Sequence, residues 1–199
     1  MNITQISRDE RVYPESLVSF LGSEAPGSIW ALGNLDILQK KKAAFFCSSK
    51  CPGDLIIKTC DLARKWRDDG VTVIGGFHSP IEQECLAILL RGKQPVIVCP
   101  ARSIETMRIK AEFQTPLAEG RLLMLSPFPL KEIRMTAATA VTRNRFVAAT
   151  ADEVFVAHAA AGGKTEDLCR DILAWGKQLT TFGCFANNNL FLLGAGGLG

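Results

Sequence analysis

Two arginines flank an asparagine, Arg143-Asn144-Arg145, inside a stretch otherwise built of Ala, Thr, Phe and Val. A guanidinium carries a fixed charge and a planar fork of donors that matches phosphate or carboxylate oxygens two at a time. Positions 143 and 145 do not share a helix face, so at least one of them sits at a helix end or makes a specific contact. Three short turns offer complementary chemistry: Ser48-Ser49-Lys50, Gly75-Gly76 and Gly162-Gly163-Lys164-Thr165. Each follows an apolar run and precedes a helical pattern. Such a turn aims backbone N–H groups and a helix dipole at one point, which suits a phosphate. Taken singly, each is equally well read as small residues that let a helix pack on a strand. Taken together, the three favour phosphate binding. None matches GxGxxG, and Gly162–Thr165 lacks the upstream glycine of a P-loop, so no cofactor is expected.

Other constellations are weaker. Cys47, Cys51, His78 and His158 all fall at or just beyond apolar runs and could converge on zinc. The Cys47–Cys51 spacing is loose and nothing fixes the histidines, so no metal is expected. A thiol nucleophile at Cys47 lacks a located base. Glu82, Glu84, Glu166 and Asp167 each open a helix, where acids complement the dipole. Glu166 is also a candidate carboxylate for a glycosyl-bond hydrolase acting on nucleotides. Phe77 and Phe128 are the aromatic residues expected to be exposed for base stacking.

The elements that must position these groups follow from hydrophobic patterning. Ala43 to His78 reads as strand, turn, helix, turn and strand, a βαβ unit whose unalternating apolar runs suit strands buried on both faces. Gly70 stops its helix. A helix over 81–91, a strand at PVIVCP, a helix from Ser103 through Glu112 stopped by Pro116, and a strand at RLLMLS come next. A helix over 136–150, a strand at EVFVAHA, a helix from the third turn to Trp175 with a Glu166–Arg170 pair, and a strand at QLTTF complete the alternation. Before them, SIWALG reads as an edge strand, and Lys40-Lys41-Lys42 as the solvated end of a short helix. Residues 1–27 read as a lead segment and 28–199 as a single domain. The fold expected is α/β, a doubly wound, mostly parallel sheet with helices on both faces. In such sheets ligands bind at the carboxyl ends of the strands.

The chain has 199 residues, 47% hydrophobic and 22% charged, with a net charge of +3. That composition is ordinary for a globular domain and compatible with nucleic-acid binding without requiring it. No apolar run reaches membrane-spanning length. The polar N-terminus has no signal-peptide core. Seven cysteines, an odd number, mostly lie within apolar patterns. Reduced thiols in a cytoplasmic protein are expected.

The order of motifs resembles the DNA-processing protein A (DprA/Smf) family. Pro26, Gly33-Asn34-Leu35 and Leu38 match its opening segment. Cys47-Ser48-Ser49-Lys50 stands at its first turn and Gly75-Gly76-Phe77 at its second. Arg143-Asn144-Arg145 is intact, Ala161–Thr165 follows the next strand, and Asn189-Leu190-Phe191-Leu192-Leu193-Gly194-Ala195 matches the closing pattern. The first turn lacks the family's glycine and carries Lys50 near its arginine. His78-Ser79-Pro80-Ile81-Glu82 replaces its Gly-Ile-Asp segment, and the Phe-Pro before Arg-Asn-Arg is missing. The family's further terminal domains have no counterpart. The resemblance implies a Rossmann-like fold, single-stranded DNA binding, self-association as a homodimer and hand-over to a recombinase. Gly162–Glu166 also partly resembles the Gly-Gly-x-Gly-Thr-x-x-Glu motif of lysine decarboxylase-like nucleotide phosphoribohydrolases. A nucleotide hydrolase or a small-nucleotide sensor is therefore the alternative, with a non-enzymatic binder preferred.

Overall fold

The computed structural model describes residues 2–198. Among them, nine strands form one sheet in the order β1-β2-β6-β5-β4-β3-β7-β8-β9. The six expected strands are β3 (Lys42–Phe46), β4 (Thr72–Gly75), β5 (Val96–Val98), β6 (Leu122–Ser126), β7 (Glu153–Val156) and β8 (Leu179–Phe182). All six run parallel. Every residue of β3, β4, β5 and β6 is buried. Burial on both faces is why these strands read as continuous apolar runs.

Helices α2 (Gly53–Asp68), α3 (Pro80–Leu89) and α4 (Ala111–Ala118) cover one face. There Phe45, Leu55, Cys85, Leu89, Phe113 and Leu117 form one core. Helices α1 (Glu15–Leu21), α5 (Ala137–Thr150), α6 (Lys164–Ala174) and α7 (Asn188–Leu193) cover the other. Leu17, Phe46, Phe146, Val147, Ile172 and Leu190 form the second core. The chain winds outward from β3 to β6. Then α5 carries it back to β7 on the far side of β3, so the winding reverses between β3 and β7.

Several expectations need correction. The segment read as a lead is part of the sheet: β1 (Thr4–Ser7) pairs antiparallel with β2 (Ser28–Gly33), which pairs with β6. SIWALG is therefore not an edge strand. Lys42 does not end a helix. It opens β3, with its N–H (2.8 Å) and its Nζ (3.2 Å) both donating to Asp152 Oδ2. No helix begins at Ser103, because its Oγ accepts from the Glu105 N–H (3.2 Å), a local turn that competes with helical bonding. The helix starts at Ala111 instead and runs through Pro116, whose ring is buried. The Gly-rich tail forms α7 and then β9 (Gly196–Leu198), parallel to β8.

Candidate functional site

The β3/β7 reversal is where a doubly wound sheet usually opens a ligand crevice. Here hydrogen bonds stitch it closed. The Ser48 N–H donates to the His158 carbonyl (2.9 Å), and the Ala160 N–H donates to Ser48 Oγ (3.1 Å). Asn187, fully buried, donates from Nδ2 to the Ala157 carbonyl (2.9 Å) and to Thr181 Oγ1 (2.7 Å). With both amide hydrogens used, its Oδ1 accepts from His158 Nδ1 (2.9 Å). The first and third turns do meet, through Ser48, but the contact is structural.

The protein's own carboxylates occupy the turn amides. Glu82 accepts from the N–H groups of Cys47 (2.9 Å), His78 (2.8 Å) and Ser79 (3.1 Å). Ser79 Oγ in turn accepts from the Glu82 N–H, completing a capping box at the start of α3. Glu166 plays the same part at α6. It accepts from Asn189 Nδ2 (2.6 Å), the Gly162 N–H (3.0 Å) and Arg170 Nη2 (2.9 Å). Asn189, backed by Gly162, holds the Glu166 carboxyl below its ordinary pKa. The expectation that the turns present free N–H groups to a phosphate is thus corrected at Ser48 and Gly162, and the adjoining amides of Cys47, His78 and Ser79 are taken as well. Glu166 is tied into a cap rather than poised as a base.

An open cavity lies next door, over the carboxyl ends of β4 and β5, with a volume of about 680 Å³. Phe77, Leu86, Val98, Met107, Phe113 and Met135 give it apolar walls. His78, Arg102, Lys110 and Arg143 are its basic groups, and no carboxylate lines it. Met135, Thr136 and Ala137 bring the first turn of α5 to its rim, so the positive end of that helix dipole adds to the same field. Lys110 Nζ stands 5.6 Å from the centre of the Phe113 ring.

Arg143 forms the back of this cavity and is 4% exposed. Its Nη1 donates to the Cys99 carbonyl (3.0 Å) and its Nε to Asn144 Oδ1 (2.7 Å). The guanidinium packs directly against Gly76, in the space a Cβ there would occupy. Burial lowers the Arg143 pKa, and the nearby negative charge of Glu82 works against that shift. Phe77 follows Gly76 at φ 48°, in the left-handed region that non-glycine residues avoid. The Glu82 bonds to the next two amides hold it there.

Of the residues read from the sequence, Gly75, Gly76, Arg143 and Asn144 come together at or beside the cavity. Arg145 points away. It bridges Glu24 (2.8 Å) and Asp171 (3.4 Å) and lies 5.7 Å from the Trp175 ring, tying α6 and the turn after α1 to α5. Lys164 lies beside Asn144 and Arg145 on that side. Ser49 and Lys50 are exposed on the first turn, and Gly163 and Thr165 stand at the start of α6. Phe77 and Phe128 are buried, 6% and 7% exposed, with the Phe77 ring against Gly75, so neither is an exposed stacking platform. Burial raises the Cys47 and Cys51 thiol pKa values, which disfavours the thiolate form a nucleophile needs. His78 is exposed while His158 turns to Asn187; among the described residues no group of three His, Cys, Asp or Glu could hold a metal. The sequence reading missed Arg102, Lys110, Met107 and Phe113. Their position just after the third apolar strand was the available signal, obscured by the helix expected from Ser103.

A second cavity, about 640 Å³, opens at the amino ends of β3, β7 and β8. Its buried lysines are committed. Lys177 Nζ donates to the carbonyls of Ala148 (2.6 Å), Ala149 (3.2 Å) and Ala151, and Lys42 pairs with Asp152. Glu15 and Asp152 also line this second cavity, whereas the carboxyl-edge cavity has no acid in its lining, although Lys110 there pairs with Glu112 just outside it (3.3 Å).

A mostly parallel, doubly wound sheet with a basic cavity at its carboxyl edge defines a Rossmann-like domain. Residues 4–194 match the model of the DNA recombination-mediator protein A family, and the chain belongs to that family. The fold is similar to DNA processing protein A from Streptococcus pneumoniae, at 20% identity and TM-score 0.79, covering 100% of this chain and 71% of that one. It is also similar to DNA processing protein A from Helicobacter pylori, at 16% identity and TM-score 0.78, covering 99% and 91%. A more distant likeness is the molybdenum cofactor binding protein from Rippkaea orientalis, at 12% identity and TM-score 0.53, covering 76% and 82%. No curated protein matches the sequence.

Proposed function

We propose that the protein binds single-stranded DNA across the carboxyl-edge cavity, without catalysis, as a step in DNA processing or recombination. The observation that carries this reading is the cavity itself. It combines four basic side chains, apolar walls and no acid, the pairing a strand of phosphates and unstacked bases requires. Membership of the recombination-mediator family supports it, as does the single-stranded DNA binding mode described for the Helicobacter pylori protein. Gly76, Arg143 and Asn144 form the back of the site, and Arg102 and Lys110 its rim. Ser49 and Lys50 extend it along the edge, and Gly163, Lys164 and Thr165 at the start of α6 offer a further contact beyond the cavity. A homodimer and a recombinase partner follow from the family resemblance. No helix of the described residues is long and apolar enough to cross a membrane, and a cytoplasmic location is part of the proposal. The nucleotide-hydrolase reading loses its carboxylate, since Glu166 already accepts three hydrogen bonds.

The test is fluorescence anisotropy with labelled single-stranded DNA, RNA, duplex DNA and mononucleotides, over a range of salt. Single-stranded DNA should bind best. About three phosphate contacts would give a log–log salt slope near roughly −2. Tighter binding of mononucleotides than of strands, or release of free base from them, would overturn the proposal.

A further inference from the structure

We infer that the loop between β6 and α5 is an apolar wedge that packs against the last base pair where the bound single strand runs into a duplex, so the protein prefers such a junction to a plain strand. The inference rests on the proposed single-stranded DNA binding and adds the neighbouring structure that the site selects.

Three large aliphatic side chains stand in water on this short loop: Leu130 is 53% exposed, Ile133 50% and Met135 59%. Single exposed apolar residues are ordinary, but a run of them marks a contact surface. The backbone beneath them is held. The Glu132 N–H donates to the Pro129 carbonyl (2.9 Å), and the Ser103 N–H donates to the Glu132 carbonyl (2.7 Å), fastening the loop to the segment after β5. Phe128 is buried at one end of the loop, and Thr136 opens α5 with a capping box at the other. The aliphatic side chains are therefore presented from an anchored loop.

Two observations name what covers them. Met135 also lines the carboxyl-edge cavity, so the apolar loop continues the proposed strand site. The charges beside the aliphatic residues favour a polyanion. Lys131 and Arg134 are exposed, and among the described residues neither pairs with a carboxylate. Arg102, beside the Ser103 contact, adds a third cation on that side. Glu132, half-buried, is the one acid from Leu130 to Met135.

The side-chain type decides which part of a nucleic acid fits. A flexible strand is held by aromatic rings that stack on its bases, and the loop has none from Leu130 to Met135. Leu, Ile and Met are instead the wedges that proteins set between stacked base steps. The last base pair of a duplex exposes a flat apolar face of that kind, while one strand continues as the tail. With the tail in the cavity and that face against Leu130 and Ile133, Lys131 and Arg134 meet the duplex phosphates nearest the junction.

The experiment compares three labelled DNAs by anisotropy at fixed salt: a single strand, the same strand as the tail of a duplex, and the blunt duplex. The wild-type protein should bind the tailed duplex about tenfold tighter than the strand alone, with the blunt duplex weakest. 2-Aminopurine at the first unpaired base should brighten on binding, because the wedge takes its place on the terminal pair. Leu130→Ser combined with Ile133→Ser changes two exposed side chains and leaves both cores alone. It should return the tailed duplex to the affinity of the strand and abolish the brightening, with single-strand affinity unchanged. Equal wild-type affinity for strand and tailed duplex overturns the inference and leaves the proposed function intact. A junction preference that survives the double substitution overturns the assignment to the loop. A change in sedimentation on substitution, without a junction preference in the wild type, assigns the loop to a protein contact and overturns the inference as well. Failure of every DNA to bind removes the proposed function itself.

Discussion

Glu82→Ala is the perturbation that best separates this protein's internal anion from a phosphate-binding turn. The carboxylate is 6% exposed and receives three backbone N–H groups, from Cys47, His78 and Ser79. A hydrogen bond to a charged group contributes about 1.5–3 kcal/mol net. Three such bonds sum to roughly 4.5–9 kcal/mol if independent. They are not independent, because the His78 and Ser79 amides share Oε2 and His78 is exposed, so water replaces part of the loss. Removing one partner of a buried charged contact costs about 3–5 kcal/mol, and that is the expected destabilisation. Glu82→Gln keeps one acceptor oxygen and should lose about half as much. Urea unfolding followed by the fluorescence of Trp30, Trp66 and Trp175 measures it. Amide exchange at Cys47, His78 and Ser79 should accelerate in Glu82→Ala, while that at Leu123 in the sheet core tracks only the lower global stability. A Glu82→Ala protein within about 1 kcal/mol of wild type would refute the reasoning, since the amides would then need no internal carboxylate.

Three further outcomes follow from the same geometry. Gly76→Ala, whose Cβ would overlap the Arg143 guanidinium, should weaken single-stranded DNA binding about tenfold, as Arg143→Ala does, one charge-assisted contact being lost in each; anisotropy compares them. Lys177→Met orphans the carbonyls of Ala148, Ala149 and Ala151 at the end of α5 and should cost about 2–3 kcal/mol in thermal or urea unfolding. Glu166 has a lowered folded-state pKa, so its contribution is fully present above the ordinary value of 4.5 and fades as pH falls through the lower folded value. The stability gap between wild type and Glu166→Gln should accordingly narrow in acid, as unfolding curves across that range will show.

Much of the fold was legible because the physics was local. β3, α2 and β4 are apolar runs and an amphipathic helix bounded by turn residues, and they form where the pattern puts them. β1 and β9 were not legible, since Thr-Gln-Ile-Ser and Gly-Gly-Leu carry one large apolar residue each. They become strands only because a neighbouring edge offers hydrogen bonds. At the site, spacing alone separated Arg143 from Arg145. One turned in to Gly76 and the other out to Glu24 and Asp171. Glu82 was legible as a helix-opening acid. Its reach to the Cys47 amide was not, because 35 residues separate them and only the parallel pairing of β3 with β4 brings them together. The closing Asn189 pattern likewise acquires its meaning in space, where Asn189 joins α7 to the Ala159 carbonyl and to Glu166.

The central claim is that the strand lies at the carboxyl edge of the sheet, and photo-cross-linking locates it directly. An oligonucleotide with a photoreactive base is bound to the wild-type protein, irradiated and digested, and the cross-linked peptides are identified by mass spectrometry. Cross-links on Phe77, Met107, Phe113 or Met135, suppressed by Gly76→Ala, are the predicted result. Cross-links confined to Tyr13 or Phe20 at the opposite cavity would contradict the account.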